Sequence, residues 1–313
     1  MELQGIKINN YKSLVDLEIK KPNPFTVFAG PNGAGKSNIF EALEFASYLY
    51  RYKPDEVANM FGGISRITNY QAQKKVLSVA IEFHDAVKRE LKFSYEENDL
   101  PNNFHFYGYG QETDENSHHS DPNENANRTK LFKKFFTDFT RVFINKAELN
   151  RIQYNSGKKL LPDASNMPFV LNSILSDPNK KDEFLDWVQL FVPGLSNIEV
   201  RTDSIEGTAS LLIYEKGTNK PFNKSLISDG TYNILTLLTA VYQADEPQFL
   251  CIEEPENGLN PYVVESLVSF FRKQCEEKGH YIWLNTHSQT LVKHLQPQEL
   301  ILVEKKNSKT QIK

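Results

Sequence analysis

The stretch Gly30-Pro-Asn-Gly-Ala-Gly-Lys36-Ser37 constrains this chain most, because it satisfies G-x-x-x-x-G-K-[ST] at every fixed position. The apolar run Phe25-Thr-Val-Phe-Ala29 before it reads as a short buried strand. Lys36 to Tyr52 after it reads as a helix with Ile39, Leu43, Ala46 and Leu49 on one face. In that setting the glycines let the backbone wrap closely around phosphate oxygens. The first helical amides then face the anion with the positive end of the helix dipole behind them. Lys36 supplies charge toward β- and γ-phosphates, and the Ser37 hydroxyl can ligate Mg²⁺. A chain built around this loop must place a strand and a helix on either side of it, which points to an α/β fold.

The remaining pattern agrees. Leu3, Ile6 and Ile8, then Leu14, Leu17 and Ile19, alternate with polar residues as two strands around a turn at Asn9-Asn10-Tyr11-Lys12. Val76 to Tyr95 reads as another antiparallel pair, and Arg141 to Lys146 as a strand. Ser165 caps a helix through Leu175, and Asp177-Pro178 opens a second through Phe191. Ile198–Val200 and Leu211–Tyr214 are strands. A strongly apolar helix begins at Ser228, Phe249–Ile252 is a buried strand, and Pro261 to Cys275 is helical. Tyr281–Leu284 and Leu300–Val303 complete the strands. Helices thus interleave with wholly apolar strands at both ends of the chain, as around a mainly parallel sheet. Residues 1–90 and 196–313 form the expected core. Residues 91–195 form an inserted, largely helical subdomain whose loop 111–127 is too polar to order itself.

Composition limits the classes that remain. Among 313 residues, 36 Lys and Arg against 40 Asp and Glu leave a net charge of −4, unlike a protein coated in basic charge. Cys251 and Cys275 cannot build a disulfide framework. No run is long enough for a membrane helix and no signal peptide is evident, so the expectation is a cytoplasmic protein with no membrane partner.

Three further elements carry chemistry. The strand Phe249–Ile252 delivers Glu253 and Glu254 to its C-terminal tip, where α/β sheets bind ligands. Glu253 is placed to hold Mg²⁺ through water, and Glu254 to orient or deprotonate an attacking water. Ser228-Asp-Gly230-Thr opens the apolar helix; capping is the plainer role for Ser228. Thr286-His287-Ser288 is a polar triplet at another strand tip, and a lone histidine there is by default structural. Lysine clusters at 130/133/134, 158/159 and 305/306/309/313 could meet a phosphate backbone, although solvated lysine is the default. His118-His119 lacks the partners of a metal site.

Taken in chain order, Gly30–Ser37, Ser228-Asp229-Gly230, Glu253-Glu254-Pro255-Glu256, Gly258-Leu-Asn260-Pro and Thr286-His287-Ser288 resemble an ABC-type ATPase of the SMC/RecF/OLD-like branch. The resemblance makes these segments the Walker A, signature, Walker B, D-loop and H-switch elements. It implies a P-loop fold with a mixed sheet, N-terminal antiparallel strands and an inserted subdomain. It also assigns ATP contacts to Lys12, Asn32, Gly33, Gly35, Lys36, Ser37, Asn38, Ser228, Gly230 and Asn260. Catalysis falls to Glu254 and His287, and Mg²⁺ to Ser37, Glu253 and Asn145. The segment Val142-Phe-Ile-Asn145-Lys146 resembles the Q-loop strand, but lysine stands where glutamine is expected and cannot accept a bond from metal-bound water. The signature is Ser-Asp-Gly-Thr, the Walker B strand ends in Glu253 rather than Asp, and Asn260 stands where relatives often have His.

The implied function is an ATP-dependent, head-to-tail homodimer that senses DNA, RNA or a phage product and controls an effector such as a nuclease or toxin. A RecF-like repair ATPase that binds DNA directly is the alternative. A transporter subunit fits the signature and spacing less well, and the residues beyond His287 are too few for a TOPRIM nuclease.

Overall fold

The computed structural model describes residues 2–49, 51–69, 76–83, 87–94, 105–109, 134, 137–143, 159–203, 208–218, 220–223 and 226–313. Asn145, His118, His119, the loop 111–127 and Lys130, Lys133 and Lys158 lie outside them. The chain divides into two compact units. One comprises Met1–Phe139, Asn150–Ile152 and Gln296–Lys313; the other comprises Thr140–Leu149 and Gln153–Leu295.

In the first unit, β1 (Leu3–Tyr11), β2 (Leu14–Lys20), β4 (Val76–Phe83), β5 (Val87–Ser94) and β6 (His105–Tyr109) form a sheet in the order β2-β1-β4-β5-β6. Its pairings are antiparallel. Alternation buries Leu3, Ile6, Ile8, Leu14, Leu17 and Ile19. The first turn is tighter than the sequence suggests. Tyr11 stays in β1 opposite Leu14, fully buried and 5.8 Å from the Phe45 ring, so only Lys12 and Ser13 make the turn. Burying that aromatic stabilises the longer strand by about 2 kcal/mol.

The buried strand β3 (Phe25–Ala29) leads through the glycine loop into α1 (Lys36–Leu49), with Phe28 packed edge-on against Phe40 at 5.6 Å. The helix runs to Leu49, short of the expected Tyr52; Lys53 precedes Pro54 and takes extended backbone, α2 (Pro54–Met60) starts there, and α3 (Ile64–Ile67) follows. Beside β3 runs β13 (Leu300–Lys306), parallel, with Leu300 opposite Val27 and Leu302 opposite Ala29. It is not the last strand. The chain turns at Asn307-Ser308, both at positive φ (49° and 62°), and returns antiparallel as β14 (Lys309–Ile312).

In the second unit, β7 (Phe139–Phe143), β11 (Phe249–Glu253) and β12 (Tyr281–Thr286) follow the order β12-β11-β7, with β11 and β12 parallel. All three are buried along their length. A meander of β8 (Leu195–Asp203), β9 (Thr208–Glu215) and β10 (Phe222–Asn223) is antiparallel. Of its helices, α4 (Met167–Leu175) lacks the expected side-chain cap from Ser165. Asn166 takes the N-cap position, its side chain bonding Leu161 N and Lys159 O, while Ser165 N turns to Asp163 Oδ1. Asp177 caps α5 (Pro178–Phe191) through Asn179 N at 3.0 Å, as its sequence indicates. The apolar helix is α6 (Asp229–Tyr242), and α7 (Pro261–Lys278) runs one turn past Cys275 to a left-handed Gly279. The short α8 (Gln289–Val292) follows β12. Phe184, Phe191, Tyr242 and Phe270 interlock as the aromatic core between α5, α6 and α7. No helix among the described residues is long and apolar enough to cross a membrane.

Candidate functional site

The candidate residues fall in both units, and each group takes its geometry from its own unit. In the first, the loop after β3 leaves Asn32 and Gly33 exposed and buries Ala34 and Lys36. Lys36 is only 7% exposed, and its Nζ donates to the Gly30 and Pro31 carbonyls at 2.7 and 3.0 Å. The ammonium therefore lies across the mouth of its own loop. Ser37 and Asn38 sit in the first turn of α1, and the Asn38 amide donates to Ser13 Oγ at 2.8 Å. Lys12, assigned to the nucleotide by resemblance, holds both Glu41 oxygens at 2.6 and 2.7 Å. Glu41 is thus a charge partner on α1 that the sequence did not single out.

In the second unit the acid pair divides sharply. Glu253 is buried and ion-paired with Arg141 of β7, whose Nε donates to Glu253 Oε1 at 2.7 Å and whose Nη2 meets the same oxygen; the two side chains are 6% and 5% exposed. The guanidinium also lies 4.4 Å from the Phe143 ring centroid. Arg141 was legible only as the one charge in an otherwise buried strand.

Glu254 is half-exposed and sits at φ 48°, left-handed backbone that costs a non-glycine residue on the order of 1 kcal/mol. Its N–H donates to the Asn285 carbonyl at 3.0 Å and to Asn285 Oδ1 at 3.2 Å, which holds the turn. The carboxylate is aimed from both sides: Asn257 Nδ2 donates to Oε2 at 2.9 Å, and His287 Nδ1 lies 3.4 Å from Oε1. The structure thus brings Glu254 and His287 together. Beneath them, Glu256 accepts from the Thr286 hydroxyl, which itself accepts from Ser288 N at 2.8 Å. Burial pushes the Glu256 carboxyl above its usual range, and the Thr286 bond opposes that shift.

Ser228 Oγ accepts from Thr231 N at 3.2 Å, so the capping role is real, yet the residue remains exposed at the head of α6. Gly230 packs against the backbone of Gly258, and Asn233 Nδ2 donates to Asn257 O at 2.7 Å. Asn260 caps α7 through Tyr262 N at 2.9 Å. Ser228–Gly230, Gly258–Asn260 and the acidic tip are therefore linked by contacts within this unit. Among the described residues no three His, Cys, Asp or Glu side chains gather as a metal cluster. A Mg²⁺ on a triphosphate does not need one, because phosphates and water supply most of its oxygens.

Residues 25–293 match the protein family described as "AAA domain, putative AbiEii toxin, Type IV TA system". The chain belongs to that family. It is similar to ABC-type ATPases of the SMC/RecF branch. A stretch of 72 residues, 23% of this chain, is 32% identical to the DNA replication and repair protein RecF of Corynebacterium jeikeium and spans 17% of that protein's length. The SMC head domain from Thermotoga maritima shares the fold at a TM-score of 0.56, with 14% identity over 100% of this chain and 98% of that one. An SmcHead bound to the C-winged helix domain of ScpA does so at 0.64, with 13% identity and coverage of 100% and 97%.

Proposed function

We propose that this member of the family binds and hydrolyses ATP as a switch. Its triphosphate form pairs head to tail with a second copy and governs an effector, such as a nuclease or toxin, in phage defence or nucleic-acid surveillance. The observation that carries this reading is the complete phosphate loop Gly30–Ser37 between β3 and α1; the second unit supports it by presenting Glu254 aimed by Asn257 and His287. The loop amides and Lys36 hold the β- and γ-phosphates once Lys36 leaves its carbonyl partners. Glu254, its carboxylate held in place beside His287, orients water and takes its proton, becoming the neutral acid. The Ser37 hydroxyl is an oxygen donor of the kind Mg²⁺ takes, and the ion would neutralise phosphate charge there; Glu253, already paired with Arg141, would reach such an ion through water. Ser228, capping α6 while exposed, is suited to present that helix's amides to a phosphate on another copy. The family description, which names a toxin of a TA system, favours effector control. The similarity to RecF favours the second reading, direct binding of DNA.

Nucleotide affinity and phosphate release on two variants test the proposal. Lys36→Ala is expected to lose ATP binding, and Glu254→Gln to keep binding and lose hydrolysis. Wild-type turnover in Glu254→Gln would move the catalytic role to another residue.

A further inference from the structure

Two strands of the C-terminal hairpin lie against both ends of the phosphate loop. Because β13 pairs in parallel with β3, Val303 falls beside Gly30, and a Cβ on Gly30 would stand 2.0 Å from the Val303 carbonyl oxygen. At the other end, a Cβ on Gly35 would stand 2.0 Å from Thr310 Oγ1, and Gly35 itself is at φ 99°. Each glycine is thus required by close approach of the hairpin as well as by any phosphate.

Thr310 is buried, its Oγ1 donates to the Ala34 carbonyl at 2.8 Å, and it shares a bond of 2.7 Å with Ser13 Oγ. Its backbone N–H donates to Ser13 O at 2.9 Å. Ser13 Oγ also receives the Asn38 amide at 2.8 Å. The direction of this chain of bonds is forced. A carbonyl only accepts and an amide N–H only donates, so protons point from Asn38 to Ser13, from Ser13 to Thr310 and from Thr310 to Ala34. The chain starts in the first turn of α1 and ends inside the loop, closing a ring around Gly35.

We infer that Thr310 is a positioning residue for the phosphate loop, and that the hairpin β13–β14 is a backstop holding the loop in its phosphate-binding shape. This rests on the proposed ATP reading. A loop that is held binds with its full affinity; one that populates other shapes binds more weakly by the fraction of time it spends competent.

Thr310→Val keeps shape and removes the hydroxyl, and Thr310→Ser keeps the hydroxyl. With the full chain and a fluorescent ATP analogue, Thr310→Val should weaken the dissociation constant about tenfold, the scale of one to two lost hydrogen bonds. Turnover at saturating ATP should hardly change, so KM moves and kcat does not. Thr310→Ser should restore affinity, and hydrogen exchange of the amides at 33–37 without nucleotide should quicken in Thr310→Val alone. Wild-type affinity in Thr310→Val, or equal loss in Thr310→Ser, overturns the inference. Should Thr310→Val not fold, Ser13→Ala breaks the same chain one link earlier and must weaken binding about threefold; unchanged binding there is equally fatal. If the wild-type chain binds no ATP, the proposed function falls, and exchange at 33–37 still decides whether the hairpin holds the loop.

Discussion

Replacing Arg141 by methionine should reveal how much of the second unit rests on one buried ion pair. Methionine approximates the arginine stem and removes the guanidinium that meets Glu253 Oε1 through Nε and Nη2. With side chains 5% and 6% exposed, neither charge has solvent to fall back on. Removing one member of such a pair costs about 3 to 5 kcal/mol, because the remaining charge stays in low dielectric. The unit has roughly 150 residues, a size at which each kcal/mol moves a midpoint by about 2 to 4 °C, so the transition should fall by roughly 6 to 20 °C. The measurement is thermal melting followed by circular dichroism at pH 7.5. The companion variant Arg141→Met/Glu253→Gln removes both charges and should recover most of the loss, giving a large coupling term in the double-mutant cycle. A single variant melting within about 2 °C of wild type, or a double variant no better than the single, would refute the argument. The pair would then be an incidental contact.

Two other outcomes follow from particular residues. Burial, and then the charge of Lys278, pushes His280 down to about 4, and its Nδ1 accepts from Gln248 N at 3.2 Å. The unfolded chain takes a proton below about 6.5 that the folded chain refuses until about 4, so stability falls with pH between those values, by about 2 kcal/mol at pH 5. Denaturant melts at pH 7.5 and 5 should show that loss in wild type and not in His280→Asn; equal pH slopes would contradict it. Mixing Lys36→Ala chains with Ser228→Arg chains, each inactive alone, should restore up to about half of wild-type ATPase activity, since a mixed head-to-tail dimer contains one intact site. Persistent inactivity when mixed dimers demonstrably form would confine Ser228 to capping its own helix.

What could be read from the sequence was local chemistry. The glycine loop, the Glu253-Glu254 tip and the caps at Ser228 and Asp177 are each written within a few neighbouring residues, and each element stands where the pattern puts it. Partners across the fold were not readable. Arg141 and Glu253 are 112 positions apart, and only the order of β7 and β11 brings them together. The same holds for Lys12 with Glu41, and for Thr310 with Ser13. The strand β14 was missed for another reason. Lys309, Gln311 and Lys313 are exposed and only Thr310 is buried among them, so Lys309–Ile312 carries no apolar alternation and reads as a solvated tail. Asn307-Ser308, a pair tolerant of left-handed backbone, was the available sign of a tight turn. At α4 the expected side-chain cap is not made: Asn166 takes the N-cap position, and its side chain bonds Leu161 N and Lys159 O of the preceding loop instead of the first helical amides.

The bond from Thr310 to Ala34 also sets an order of events during synthesis. Its partners lie 276 residues apart. At the usual pace of translation, roughly 15 to 55 s separate the emergence of the glycine loop from that of the strand that braces it. Throughout that interval the nascent chain carries an unfinished cradle. A growing polypeptide should therefore gain its nucleotide affinity late and in one step, after the hairpin has left the ribosome, so that truncated products are poor competitors for the ligand that full-length chains use.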